Sequence, residues 1–599
     1  GATLTGGLSN AGLIQASSTL AGAGVQMNAT SVAGGLNNAS TGTISGYTGL
    51  MVASGSTLSG GLTNAGLITG LPRRGIQIAG SVLSGGVANN GGTITGRSGL
   101  LLTQSSLSGG LVNSGLINGL NAAGVALNSS SLSNGLNNAS AGTISGALVG
   151  LNLTNSTLSG GLTNAGLITG TLAGVSLALS SLQNGLSNTA GTISASVTGL
   201  MVSQSSLSGG LTNTGLITGL SGAGINLTAS GLTGIVLNAS TGTIAGVTHG
   251  LQLNSSVLNG SLTNTGLITG TSFAGVFVLN SSLSGGIANA GGRMSGGAQG
   301  LRVNASTLSG VVNSGLMYGS VTGFALVGSN VSSGINNQSG GSIGGVYTGV
   351  FVTASQICGG INNASNATIS ATIGTGLALI GGSTLNSGIT NSGLITSQVT
   401  NGLALGSAFV SGGLANNTNA TISGAFSGLV INLSSITGGL TNSGFITGSS
   451  ATGIAIVGGS TINGGLNNLA LATISGGQTG LSISGNSLLN GGLTNAGLIT
   501  GGTYAINAPS LTSIVSNGSN AQFVGTVSAS NASLNITSGT LTGANGLNVS
   551  AVSVAGGAQL NLVTSTASSI SGGITAPNGV TNSGVVNVGM AAATITGGW

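Results

Sequence analysis

The hydrophobic pattern of this chain repeats from near its first residue. Aligned on the phrase Gly60-Gly61-Leu62-Thr63-Asn64, an asparagine returns about every 25 residues, a period expected of solenoids and propellers. The register runs Asn10, Asn38, Asn64, Asn90, Asn113, Asn138, Asn164, Asn188, Asn213, Asn238, Asn264, Asn289, Asn313, Asn337, Asn363, Asn391, Asn417, Asn442, Asn468 and Asn495. Four to six residues after each asparagine comes an apolar column, which includes Ile68, Ile94, Ile117, Ile144, Ile168, Ile193, Ile217, Ile244 and Ile268. Met294 and Met317 are its only departures from isoleucine. Another apolar column stands two residues before the asparagine, as in Leu36, Leu62, Leu136 and Leu493. Each repeat therefore turns at least two apolar side chains toward a common axis.

A further segment alternates as Gly99-Leu100-Leu101-Leu102 and Gly150-Leu151-Asn152-Leu153, the period-two sign of a half-buried strand. Glycine and Asn/Ser clusters between the segments supply the positive-φ corners of tight turns. About three short strands and three turns per repeat predict one coil of a parallel β-helix. A propeller blade needs four antiparallel strands in roughly 40–50 residues, which this shorter unit does not provide. The expected fold is all-β: a right-handed parallel β-helix (β-solenoid) of about 20 or more coils of ~25 residues, its hand following the rule for parallel crossovers. Stacking at ~4.8 Å would make it a rod roughly 95 Å long. Residues 1–502 keep the regular register, and 503–599 read as divergent C-terminal coils.

Two flavours of repeat mostly alternate, one as in Thr163–Gly170 and the other as in Asn137–Gly146. The alternation fails where Asn337 and Asn363 both belong to the second flavour, which suggests duplication of a two-coil unit with one rearrangement.

Composition explains the asparagines and removes most chemistry. The 599 residues contain no aspartate or glutamate, and the five cations are all arginine. Stacked amides donate and accept along a column, whereas acids stacked every ~4.8 Å would repel one another. With 120 glycines and 3 prolines, neither a helical protein nor collagen fits. The 40% hydrophobic content argues against disorder.

Arg73, Arg74, Arg97, Arg293 and Arg302 are scattered along the chain, so no basic stripe for nucleic acid is expected. Arg73 and Arg74 read as a solvated loop, with a processing site or an anion contact as the alternatives. Cys358, the one cysteine, allows no internal disulfide; it reads as a small buried residue, with cross-linking between copies as the alternative. No apolar run approaches the ~18 residues of a spanning helix. Without carboxylates, paired-acid glycosidase chemistry and acidic calcium sites are excluded. His249 is the single histidine and reads as a turn or surface residue, because neither a triad nor a metal site can be assembled around it. No enzyme activity, catalytic residue, cofactor or metal is expected. The N-x-S/T triplets at Asn38, Asn304, Asn363 and Asn531 read as ladder and turn residues.

The phrases Gly556-Gly557-Ala558-Gln559-Leu560-Asn561-Leu562 and Thr581-Asn582-Ser583-Gly584-Val585-Val586-Asn587-Val588-Gly589 resemble the C-terminal passenger repeats of bacterial autotransporters. The preceding coils are similar, more loosely, to β-helical passengers and filamentous-haemagglutinin-type surface proteins. The resemblance implies a right-handed parallel β-helix secreted to the bacterial cell surface. Such passengers usually carry many acidic residues, and this chain does not.

These readings lead to a non-enzymatic extracellular structural protein that assembles with itself, end to end or laterally, into a fibre, filament or sheath. Coils near Gly1 and Trp599 show no polar cap, which predicts open sheet edges, and little charge holds copies apart. Two alternatives stand beside it. One is an adhesin stalk or autotransporter passenger engaging cell surfaces or glycans. The other is an ice-binding solenoid using outward pairs such as Thr93 and Thr95, although Leu67, Asn118, Ala245 and Tyr318 interrupt that array.

Overall fold

A strand of two residues cannot display an alternation, and the fold contains one such strand in most of its coils. The computed structural model describes residues 2–17, 22–543, 546–555 and 557–563, with the short strands Ser569–Ile570, Val586–Gly589 and Thr594–Ile595. These residues form an all-β parallel β-solenoid of about 21 turns of ~25 residues, with no helix among them. None of the described residues therefore belongs to a helix able to cross a membrane. Of the two autotransporter-like phrases, Gly556 and residues 581–585 lie outside the described residues. The chain divides into two compact units, Gly1–Leu301 with Ser306–Leu308, and Arg302–Ala305 with Ser309–Trp599.

One coil of the first unit shows the plan. A short strand Thr157–Leu158 leads to a ladder strand Leu162–Asn164, an isoleucine strand Leu167–Gly170 and a long strand Ala173–Ala178. Four strands replace the three expected, the additional one being Thr157–Leu158. It brings a further buried column, Leu58, Leu83, Leu107, Leu132, Leu158 and Leu182. The second unit repeats the plan, its short strands burying Val331, Ile357, Leu385, Val410, Ile436 and Ile462.

Each strand pairs in parallel with its counterpart in the next coil, and the register places like on like. In the first unit Leu136, Leu162 and Leu186 are successive partners, as are Ile144, Ile168 and Ile193. In the second, Ile343, Ile369, Ile395 and Ile422 follow one another. The isoleucine column has no exposed surface from Ile44 to Ile268, and Met294 fills the same position equally buried. Burying each such side chain is worth about 1.5–3 kcal/mol. Column stacking therefore stabilises every coil through its neighbours.

Glycine makes the corner before the ladder strand. Gly61 has φ +75°, in the left-handed region, and a β-carbon there would lie 2.6 Å from the Gly85 carbonyl oxygen of the next coil. Both the backbone conformation and the close approach exclude a side chain. We expect Gly61→Ala to destabilise by about 1–3 kcal/mol. Gly231 is the contrast: it lies between Ser206 and Val257 on the short-strand face with nothing within 4 Å of its β-position. Gly231→Ser should shift stability by less than about 0.5 kcal/mol. Equal thermal-unfolding midpoints for the two variants would contradict this account of the corner.

Candidate functional site

The most elaborate polar arrangement in the molecule is internal. On the ladder strand the first and third residues face inward, so the asparagine two residues after the buried Leu/Val is enclosed. In the first unit Asn10, Asn38, Asn64, Asn89, Asn113, Asn138, Asn164, Asn188, Asn213, Asn238, Asn264 and Asn289 form one chain, each Nδ2 donating to the next Oδ1 at 2.8 Å. In the second unit the chain runs through Asn313, Asn337, Asn363, Asn391, Asn416, Asn442, Asn468 and Asn495 at 2.8–2.9 Å.

Two positions differ from the sequence reading. The ladder uses Asn89 and Asn416, not Asn90 and Asn417. Each pair is an Asn-Asn dipeptide, and strand alternation decides between them: Val87 and Leu414 point inward, so the residues two further on, Asn89 and Asn416, do too. Asn90 is exposed, and Asn417 donates outside the core to the Ser392 hydroxyl at 2.8 Å.

Most ladder amides also close their own turn. Asn64 Nδ2 reaches the Gly66 carbonyl two residues on at 3.1 Å, Asn89 reaches Gly92 three residues on at 2.9 Å, and Asn38 reaches Gly42 four residues on at 3.1 Å. The same glycine carbonyl accepts the first backbone N–H of the next isoleucine strand, as Gly42 does from Leu67 at 2.9 Å. Turns of different length thus deliver one carbonyl to one place. In the second unit alanine takes that glycine position in three longer turns, and the bonds lengthen to 3.4–3.5 Å. After Asn495 the partnered residue is Ser516, whose buried hydroxyl has no partner. The shorter side chain ends the ladder.

A second polar column escaped the sequence reading. Ser105, Ser130, Ser156, Ser180 and Ser205 are buried, and the backbone N–H of each donates to the next serine hydroxyl at 3.0–3.2 Å. Each hydroxyl donates in turn to the carbonyl two residues back, for example Ser156 to Thr154 at 2.7 Å. The residue between, such as Asn155 at φ +49°, is left-handed. The signal was a serine recurring at the coil period. It was obscured because serine is also abundant in the turns.

The remaining chemically distinctive residues lie outside these columns. His249 opens the long strand His249–Asn254, half-buried and stacked on Phe277 at 4.9 Å and Phe273 at 5.8 Å. It is an aromatic-stack residue rather than the turn or surface residue expected. Cys358 is half-exposed rather than buried, with the Asn386 amide 3.7 Å from its sulfur. Asn38 and Asn363 belong to the buried ladder, so neither N-x-S/T triplet is open to glycosylation, while Asn531 is exposed and donates to Pro509 at 2.9 Å. Among the described residues no three His, Cys, Asp or Glu side chains come together.

Arg73, Arg74 and Arg97 are not scattered. Arg73 and Arg74 lie within the strand Leu67–Ala79, Arg74 pairs with Ser98 of the next coil, and Arg97 directly precedes that serine. Burial, then the neighbouring Arg73 and Arg97, push the Arg74 guanidinium down from its ordinary pKa.

On the outer face of the isoleucine strand, register brings together Thr69, Thr95, Asn118, Ser145 and Thr169. Where hydroxyls adjoin, some bond to each other, as Ser194 does to Thr169 at 3.3 Å and Ser423 to Thr396 at 2.9 Å. Set against protein-family models, curated proteins and solved structures, the chain matches none.

The ladder is enclosed and its donors and acceptors are spent on itself, so it holds coils together rather than a ligand. Asn89→Ala and Asn213→Ala should each cost about 1–3 kcal/mol by leaving buried partners unsatisfied. Asn90→Ala should cost less than about 0.5 kcal/mol. Chemical-denaturation midpoints check this, and an Asn90 variant as damaging as the Asn89 variant would overturn the assignment.

Proposed function

We propose that the protein is a non-enzymatic structural protein of the bacterial cell exterior, a β-solenoid that builds a surface fibre, filament or sheath by self-assembly. The observation that carries this reading is a row of exposed apolar side chains in the second unit. Val321, Tyr347, Ile373, Val399 and Phe426 stand one per coil between the isoleucine strand and the long strand of five successive coils, and all five are exposed. Contiguous apolar surface of this kind marks interaction sites.

A second copy offers the same row at the same inter-strand spacing of ~4.8 Å, so side chains of one row fit between those of the other. With five cations and no acids in 599 residues, copies have little charge to keep them apart. The placement outside the cell rests on the likeness of the C-terminal phrases to autotransporter passenger repeats. The ice-binding alternative is weaker, because adjoining outward hydroxyls bond one another and the array is broken by Asn118, Ala245 and Tyr318.

Electron microscopy of purified protein across dilution and salt series tests the proposal. Fibres that persist at high salt are expected, since apolar contacts are not screened. A Tyr347→Ser, Phe426→Ser double variant should shorten or abolish them. Single-chain particles at every concentration would reject self-assembly and leave the adhesin-stalk reading.

A further inference from the structure

The corner between isoleucine strand and long strand carries a different surface in the first unit. At its N-terminal coils Tyr47, Arg73 and Arg97 occupy this corner in successive coils, with Arg74 beside them. Arg73 donates its backbone N–H to the Tyr47 carbonyl at 3.1 Å and its Nε to the Tyr47 hydroxyl at 3.2 Å, with its guanidinium 5.3 Å from the ring centre. The tyrosine thus holds one guanidinium in place at the surface. Three like charges gather here in a chain that has no acidic side chain.

The next coils continue the corner with apolar residues. Leu120, Leu148, Leu172, Val197 and Leu220 are 40–66% exposed, one per coil. The backbone links them across coils: Asn121 N–H bonds the Arg97 carbonyl at 3.2 Å, Leu172 N–H bonds that of Leu148 at 2.8 Å, and Gly222 N–H bonds that of Val197 at 2.9 Å. A β-carbon at Gly146 would collide with the Val149 carbonyl, so glycine is required before the turn in that coil, although Ala195 holds the same place before Val197. Cationic and apolar groups therefore follow one another along a single edge of the first unit.

We propose that this edge docks on a lipid surface bearing phosphate headgroups, the arginines taking the phosphates and the leucine row entering the acyl boundary. Guanidinium forks match phosphate geometry, and apolar side chains beside cations are the pattern of interfacial binding. A second copy of this chain does not complement the edge, since it has no carboxylate side chain to offer the arginines. The inference goes beyond self-assembly and stands independently of it, giving the protein a means of attachment that needs no spanning segment.

Sedimentation of the full chain with vesicles tests it. Binding to vesicles of phosphatidylcholine mixed with phosphatidylglycerol should exceed binding to phosphatidylcholine alone, by about fivefold per arginine and on the order of a hundredfold for three. The Arg73→Gln, Arg74→Gln, Arg97→Gln triple variant should lose that preference. Leu148→Ser, Leu172→Ser, Val197→Ser should weaken binding to both vesicles by about tenfold or more. Thermal unfolding midpoints equal to the parent's establish that these surface variants are folded. Equal binding to neutral and anionic vesicles, or a triple arginine variant that binds like the parent, overturns the proposal. So does displacement by millimolar inorganic phosphate with no effect of the leucine changes, which would assign a soluble oxyanion, and so does leucine-independent capture of an acidic polysaccharide. Fibres that form without any vesicle binding overturn this inference while leaving self-assembly standing.

Discussion

In a stack of parallel coils every inward side chain has its own counterpart above and below it at ~4.8 Å. A residue type survives inside only if it is compatible with itself at that distance. Asparagine meets the condition because its amide is both donor and acceptor, and the result is an unbroken chain of bonds at 2.8 Å from Asn10 to Asn289. Isoleucine meets it by shape, its branched apolar side chain stacking on the identical one in the next coil. Stacked carboxylates do not meet it, because they repel. The absence of acids from the buried columns and the presence of the ladders are two expressions of one constraint.

The constraint is strict inside and lenient outside. Turns after the ladder asparagine vary in length, yet the carbonyls of Gly66, Gly92 and Gly42 all receive the amide that precedes them. The backbone changes path while the bonded groups keep their places. That leniency is what allows two repeat flavours to stack without a fault. It also frees the outer corners to carry different surfaces on the same scaffold: a cationic and apolar edge in the first unit and an apolar row in the second.

Much of this was legible in the sequence, and the parts that were not have physical reasons. The coil period and the isoleucine column follow directly from spacing, since one burial position recurs without interruption. The choice of Asn89 over Asn90 depends on strand alternation, and Val87 two residues earlier was the deciding signal. The strand Thr157–Leu158 is too short for alternation to reveal. The serine column is hidden by the many serines in turns, because composition alone does not separate a buried hydroxyl from an exposed one. The gathering of Arg73 and Arg97 was visible in principle: they stand one coil period apart, and positions so related are neighbours in a solenoid. Function is far less legible, because the residues that define the fold are buried.

The central claim is that self-complementary columns, above all the asparagine ladder, hold the coils in register. Side-chain amide hydrogen exchange measured by NMR on segmentally labelled protein tests it most directly. The Nδ2 protons of Asn89, Asn113, Asn138 and Asn164 should be protected to the same degree as the backbone N–H groups of their own strands, while those of Asn90 exchange at the rate of a free amide. Ladder amides that exchange as fast as Asn90 in the folded protein would contradict the account.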